Sequence, residues 1–126
     1  MDSPSHTVLV VDDDSSIRFL CRVNLELDGW EVREAATLEK ARLVLAEGKI
    51  DVVLLDVHVG GGSGVDFLAE VRDGYPELPV AMLTGSAGSP ALARVEPDAV
   101  IAKPFTLEQL TETVGALAPR AAHSAG

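Results

Sequence analysis

Asp56 stands where a carboxylate could act as a nucleophile. It follows the apolar run 52–55 and precedes the glycine-rich stretch 60–64. A charged group at the end of a buried strand contributes little to folding, because its burial is unfavourable unless it is paired. Polar residues follow the other apolar runs as well, and these are Asp12, Asp13, Thr84 and Lys103. The set supplies the side-chain types that phosphoryl transfer to an aspartate requires.

Each residue type would supply one part of this chemistry. Carboxylates gathered in one pocket repel each other unless a cation joins them, and Mg²⁺ prefers such hard oxygen ligands. We therefore expect a magnesium site at Asp12, Asp13 and Asp56. The Lys103 ammonium would place a positive charge beside one phosphoryl oxygen, and the Thr84 hydroxyl would donate a hydrogen bond to another. Asp56 would be the nucleophile that forms an aspartyl phosphate.

Short β-branched runs alternate along the chain with segments of helical periodicity. The predicted strands are residues 7–11, 30–33, 51–55, 80–83 and 99–102. The predicted helices are residues 15–27, 38–47, 64–72, 90–95 and 107–117, of which the fourth is short and weak. This alternation predicts an α/β fold, in which a doubly wound parallel sheet is covered by helices on both faces.

A parallel sheet also predicts where the polar residues meet. Right-handed crossovers place the carboxyl ends of all strands at one edge, where open α/β sheets bind their ligands. Taken singly, an Asp-Asp pair can be a helix cap, a threonine can end a strand, and a Lys-Pro pair can form a solvated turn. Their position at the same edge of one sheet favours a common site.

The predicted helix ends carry suitable capping residues. Asp14 or Ser15 can cap the first helix, and Gly29 can end it. Thr106 and Gln109 have the spacing of a capping box for the last helix.

Length and composition restrict the class of protein. The chain has 126 residues, and we expect a single domain over 1–126 with its core at about 7–117 and a disordered Ala/Gly/Ser-rich tail at 119–126. The formal net charge of −10 argues against direct binding of nucleic acid. No apolar run approaches the ~20 residues that span a bilayer, so we expect no membrane insertion. The lone Cys21 indicates a cytoplasmic protein with a buried, reduced thiol.

Four segments together resemble the receiver domain of bacterial two-component response regulators. They read Val-Val-Asp-Asp-Asp at 10–14, Asp-Val-Val-Leu-Leu-Asp at 51–56, Met-Leu-Thr-Gly at 82–85 and Ile-Ala-Lys-Pro-Phe at 101–105. The resemblance covers about 7–117. It implies the five-stranded, flavodoxin-like (βα)5 fold of chemotaxis response regulators and a function in phosphorelay signal transduction.

The resemblance also implies a set of metal ligands and a phosphoryl donor. Asp56 would accept the phosphoryl group from a sensor histidine kinase or a histidine phosphotransfer protein. Asp13 would bind Mg²⁺ directly, and Asp12 would bind it through water. The backbone carbonyl of His58 would be the third protein ligand.

Further implications concern the readout of the phosphoryl group. Thr84 and Lys103 would act in the switch and in phosphate binding, and the peptide bond before Pro104 would be cis. The output would be protein–protein contact with a downstream target protein. The chemistry would be limited to self-phosphorylation and self-dephosphorylation, so the chain is not expected to be an enzyme otherwise.

Three positions depart from the pattern of that family. Val59 and Gly60 stand where a Met-Pro pair is usual, which predicts a more flexible loop. Val100 stands where the family usually has Tyr or Phe, so the coupling of a rotating aromatic ring to Thr84 is not expected here. Thr84 and Lys103 are also closer in sequence than is typical, which predicts a short or irregular fourth helix.

Two other functions are compatible with parts of the sequence. A receiver-like adaptor would bind partners without phosphorylation, as the altered loop and the missing aromatic residue suggest. A small phosphatase of the haloacid-dehalogenase type would use Asp12 and Asp14 after the first strand. That second alternative leaves Asp56 without a role and lacks a further acidic motif after Lys103.

Overall fold

The computed structural model describes residues 6–85 and 90–118. The strands of its main sheet are β1 (Thr7–Val11), β2 (Glu31–Ala35), β3 (Val52–Asp56), β4 (Val80–Thr84) and β5 (Ala99–Ala102). Its helices are α1 (Ser15–Leu27), α2 (Leu38–Ala46), α3 (Gly64–Gly74), α4 (Pro90–Val95) and α5 (Leu107–Ala116). None of the helices in these described ranges is long and apolar enough to cross a membrane.

The main sheet is parallel throughout, with the strand order β2-β1-β3-β4-β5. β3 lies at its centre, and residues 52–55 of this strand are fully buried. A central strand between two helix layers needs apolar side chains in both directions, which explains its unbroken apolar run. The doubly wound α/β fold that the alternation of strands and helices predicts is confirmed.

The hydrophobic core has two parts, one on each face of the sheet. α2 and α3 cover one face, where Leu9 and Phe67 are buried. α1 and α5 cover the other face, where Val10 and Leu25 are buried. Because successive side chains of a strand point to opposite faces, neighbours such as Leu9 and Val10 contribute to different parts.

The predicted helix caps are present. The Asp14 carboxylate caps α1 and accepts a hydrogen bond from the backbone N–H of Ser16 at 2.9 Å. Gly29 follows the end of α1 with a φ of +98°, a conformation that favours glycine. Thr106 and Gln109 make both hydrogen bonds of a capping box, at 2.8 and 3.0 Å.

Strand pairing extends three strands beyond their predicted ends, and one of them is β4, whose last residue Thr84 lies opposite Ala102 of β5. β2 continues to Ala35, because its residues pair with β1 as far as Val11. β3 includes Asp56, which lies opposite Leu83 of β4. The fourth helix has six residues, as short as the sequence predicts. The predicted tail at 119–126 lies outside the described residues.

The thiol of Cys21 is expected to be unreactive in the folded protein. Cys21 is fully buried on α1, where burial raises the pKa of the thiol to about 12 and the charge of Asp12 adds to the effect. Since the thiolate is the nucleophile, iodoacetamide should label Cys21 more than ~100-fold more slowly in native protein than in urea. Equal labelling rates, measured by intact mass, would contradict the buried position.

Candidate functional site

The carboxyl ends of the parallel strands meet at one edge of the sheet. Asp12 follows β1, and Lys103 follows β5. Asp56 and Thr84 are the last residues of the adjacent strands β3 and β4. In addition, the Lys103 N–H donates to the Thr84 carbonyl at 2.8 Å, which continues the pairing between β4 and β5. Residues that are far apart in sequence are therefore brought to one place by the sheet.

Asp12 is a fully buried carboxylate. Its Oδ1 accepts a hydrogen bond from the Asp14 N–H at 2.9 Å. Its Oδ2 is buried without a hydrogen-bond partner among the described residues, and the Lys103 Nζ lies 3.6 Å from it. Burial raises the pKa of Asp12 to about 6; the Asp14 N–H opposes this shift and the charge of Asp56 adds to it. The pocket therefore disfavours the charged form of Asp12 unless a cation is added.

Lys103 joins the two inner carboxylates of the site. Its Nζ donates to the Asp56 Oδ2 at 3.1 Å and faces Asp12 as well. Burial lowers the pKa of this ammonium, but the hydrogen bond to Asp56 and the negative charges of both carboxylates outweigh burial, so the pKa is raised. Lys103 is thus held in its charged form. The bond between Lys103 and Pro104 is cis, as the resemblance implies.

The acidic side chains fit a divalent cation. Asp12, Asp13 and Asp56 each offer a carboxylate oxygen, and these oxygens lie within 4.8 Å of one another. The carboxylates outnumber the Lys103 ammonium beside them, and the buried Oδ2 of Asp12 has only the distant ion pair with Lys103 and no hydrogen-bond partner in the described structure. Hard oxygen donors with an unbalanced negative charge are the ligand set that Mg²⁺ prefers.

Asp56 is followed by a small hairpin, which the sequence does not predict. His58–Val59 pairs with Gly62–Ser63 in antiparallel fashion, and the Asp56 Oδ1 accepts a weak hydrogen bond from the His58 N–H at 3.3 Å. Gly60 lies in the turn with a φ of +61°. The stretch after β3 therefore forms a hairpin, with Gly60 in its turn.

Gly64 is a residue of the site that sequence reasoning misses. Its N–H donates to the Val57 carbonyl at 2.6 Å, and an added Cβ would lie 2.0 Å from the backbone oxygen of Asp56. Only glycine allows this contact between the start of α3 and the end of β3. No local signal separates Gly64 from the neighbouring glycines, since the need for it arises from a tertiary contact.

The other predicted residues, His58, Thr84 and Val100, differ in their exposure to solvent. The side chain of His58 is exposed, so its predicted role rests on the backbone carbonyl alone. Thr84 is buried at 3% exposure at the end of β4. Val100, which stands where the family usually has an aromatic residue, is 42% exposed on β5. The roles of these residues stay predictions.

The sequence matches a known protein family and several of its members. The response regulator receiver domain family matches residues 8–115. The KDP operon transcriptional regulatory protein KdpE of Escherichia coli is 35% identical over 106 residues, which cover 82% of this chain and 47% of KdpE. The phosphate regulon transcriptional regulatory protein PhoB of Pseudomonas aeruginosa is 33% identical over 119 residues, which cover 90% of this chain and 52% of PhoB. The chain thus spans about half the length of these relatives.

A solved structure shows the same fold. The chemotaxis response regulator CheY4 of Vibrio cholerae superimposes with a TM-score of 0.83 at 29% identity, and the match covers 90% of this chain and 99% of CheY4. The family match, the sequence relatives and the structural similarity agree with the acidic cluster at the carboxyl edge of the sheet. The chain belongs to the family of response regulator receiver domains.

Proposed function

We propose that this receiver domain accepts a phosphoryl group on Asp56, with Mg²⁺ held by Asp12, Asp13, Asp56 and the backbone carbonyl of His58. The observation that carries the proposal is the ion pair at the strand ends. The Lys103 Nζ lies 3.1 Å from the Asp56 Oδ2, beside a buried Asp12 oxygen that has no hydrogen-bond partner in the described structure.

The residues of the site divide the reaction between them. An oxygen of the Asp56 carboxylate forms a bond to phosphorus, while the bond from phosphorus to the donor breaks and the donor keeps that electron pair. Lys103 stays charged and moves from the Asp56 carboxylate towards a phosphoryl oxygen. Mg²⁺, when bound, neutralises charge on the carboxylates and the phosphoryl oxygens. Thr84 supplies a hydroxyl from the adjacent strand.

The family supports a proposal for the partners and the location of this protein, and the net charge supports the exclusion of one class of partner. The phosphoryl donor is a sensor histidine kinase or a histidine phosphotransfer protein, and the output is contact with a downstream target protein. Direct binding to nucleic acid is disfavoured by the net charge of −10. We further propose that the chain is cytoplasmic and that the core of its domain lies at about 7–117. The chain has no enzymatic activity other than its own phosphorylation and dephosphorylation.

The phosphoryl acceptor is identified by mass. With Mg²⁺ and a small phosphodonor such as acetyl phosphate, we expect the protein to gain one phosphoryl group by intact mass spectrometry. Asp56→Asn is expected to abolish the adduct, because the amide lacks the nucleophilic oxygen. Asp73→Asn, at an exposed position in the last turn of α3, is the matched control and should leave the adduct unchanged.

The other outcomes identify the alternatives. A folded parent protein that gains no phosphoryl group would favour an adaptor that works without phosphorylation. An adduct that persists in Asp56→Asn would show that another residue is the acceptor, and Asp12 would be the first to examine, as the phosphatase alternative requires.

A further inference from the structure

Arg18 links the loop that carries Asp12 and Asp13 to the edge strand of the sheet. Its Nη1 donates to the Asp12 carbonyl at 2.8 Å, and its Nε donates to the Glu34 carboxylate at 3.0 Å. The side chains of Arg18 and Glu34 are only 18% and 26% exposed, so water competes weakly for these contacts. The guanidinium thus bridges α1, β2 and the loop after β1.

The contact fixes the peptide group between Asp12 and Asp13. The N–H of Asp12 donates to the Ala35 carbonyl of β2 at 3.1 Å, and its carbonyl accepts from Arg18. Both sides of Asp12 are therefore held by β2, directly or through Glu34. Since a peptide group is planar, the fixed carbonyl of Asp12 also fixes the N–H of Asp13. This limits the directions that the exposed side chain of Asp13 can take.

Glu34 is itself held in place by a second arginine. The Arg22 Nη1 lies 3.0 Å from the second oxygen of Glu34, and the Arg22 Nε lies 3.2 Å from Glu26. Arg22 is half exposed, and in the described part of the chain its ion pairs are with Glu26 and Glu34. Arg18 and Arg22 both lie on α1 and both pair with Glu34. Of these two residues, Arg18 is the one that donates to the Asp12 carbonyl.

We propose that Arg18 is a positioning residue for the cation site, which holds the peptide group of Asp12 and Asp13 in the orientation that binds Mg²⁺. The inference rests on the proposed function, because it assumes that these carboxylates bind the cation. Electrostatics alone makes the opposite prediction. Removal of a positive charge close to the site would strengthen binding of Mg²⁺, whereas loss of the positioning contact weakens it. The sign of the change therefore separates the two effects.

The test is a calorimetric Mg²⁺ titration of the full chain and its variants. For Arg18→Gln we expect the affinity to fall by about tenfold, the lower end of the effect of residues that orient metal ligands. Arg18→Lys keeps the charge but lacks the fork that holds two partners, so its affinity should fall as well. The matched control Arg22→Gln should change the affinity less than about twofold, because exposed ion pairs contribute little.

A second measurement separates positioning from a loss of folded protein. Phosphorylation of Arg18→Gln should be slow at low Mg²⁺ and should approach the parent rate as Mg²⁺ is raised to saturation. If Arg18→Gln does not fold by circular dichroism, Arg18→Lys provides the same comparison without the change in charge.

The outcomes are distinct from those of the proposed function. An Arg18 variant with unchanged or tighter Mg²⁺ binding, beside a parent protein that binds Mg²⁺ and is phosphorylated, would overturn the positioning role alone. A parent protein that binds no Mg²⁺ would overturn the proposed cation site, and the role of Arg18 with it.

Discussion

Asp12→Asn is expected to make the protein more stable in metal-free buffer and a weaker binder of Mg²⁺. The pKa of Asp12 is raised from 3.8 to about 6, so ionisation of this carboxylate opposes folding at neutral pH. Replacement by the neutral amide should raise the free energy of unfolding by about 1–3 kcal/mol. The loss of a carboxylate at the proposed cation site should weaken Mg²⁺ binding by about 10–100-fold.

The pH dependence in EDTA provides the control. A carboxyl group whose pKa is raised in the folded protein binds its proton more tightly there than in the unfolded chain. Its contribution to stability is therefore smallest at a pH where the group is ionised in both the folded and the unfolded protein. The stability of the parent protein should therefore fall as the pH rises through the range from 3.8 to about 6. Asp12→Asn should lack this component in urea titrations that follow the fluorescence of the buried Trp30. A variant less stable than the parent at neutral pH would show that the buried carboxylate stabilises the fold.

Gly64→Ala is expected to destabilise the protein by about 3 kcal/mol, the upper end of the usual cost of overpacking. The new Cβ would lie 2.0 Å from the Asp56 carbonyl oxygen and 2.9 Å from that of Val57. Both are backbone atoms, so the end of β3 or the start of α3 must move. The gain in helix propensity from glycine to alanine, up to about 1 kcal/mol, is too small to offset this. Because Asp56 belongs to the displaced segment, phosphorylation should slow as well.

The neighbouring glycines provide controls in the same hairpin. An added Cβ at Gly61 meets no atom within 4 Å, so Gly61→Ala should change stability by less than about 0.5 kcal/mol. At Gly62 the Cβ would lie 2.7 Å from the Leu38 Cδ1, the end of a flexible side chain, and an intermediate cost is expected. Equal urea midpoints for Gly64→Ala and Gly61→Ala would refute the role of this contact.

The sequence predicts the fold and the position of the polar residues at one edge of the sheet, because both can be inferred from local patterns. Strand and helix periodicity, the cap at Asp14 and the capping box at Thr106 are read within a few residues of chain. The parallel topology then places Asp12, Asp56 and Lys103 at one edge without knowledge of any side-chain contact.

Features that depend on contacts between distant segments are not predictable in this way. The two-residue strands after Asp56 are too short to show periodicity. Gly64 is required by the backbone of another element, and glycine type alone does not reveal that. The hydrogen bonds from Arg18 to Asp12 and Glu34 join charged residues that read as an ordinary solvated surface until helix and strand are packed together.

The order of strands explains why the acidic residues meet although Val59, Gly60 and Val100 depart from the family pattern. The chain leaves β1 for α1 on one face of the sheet and leaves β3 for α3 on the other. Because β1 and β3 are neighbours, their loops diverge at a topological switch point, the place where open α/β sheets bind ligands, and Asp12 and Asp56 lie at the ends of these two strands. This switch point is created by the path of the backbone. Substitutions in the hairpin or at Val100 are therefore expected to leave Asp12 and Asp56 together at this edge of the sheet.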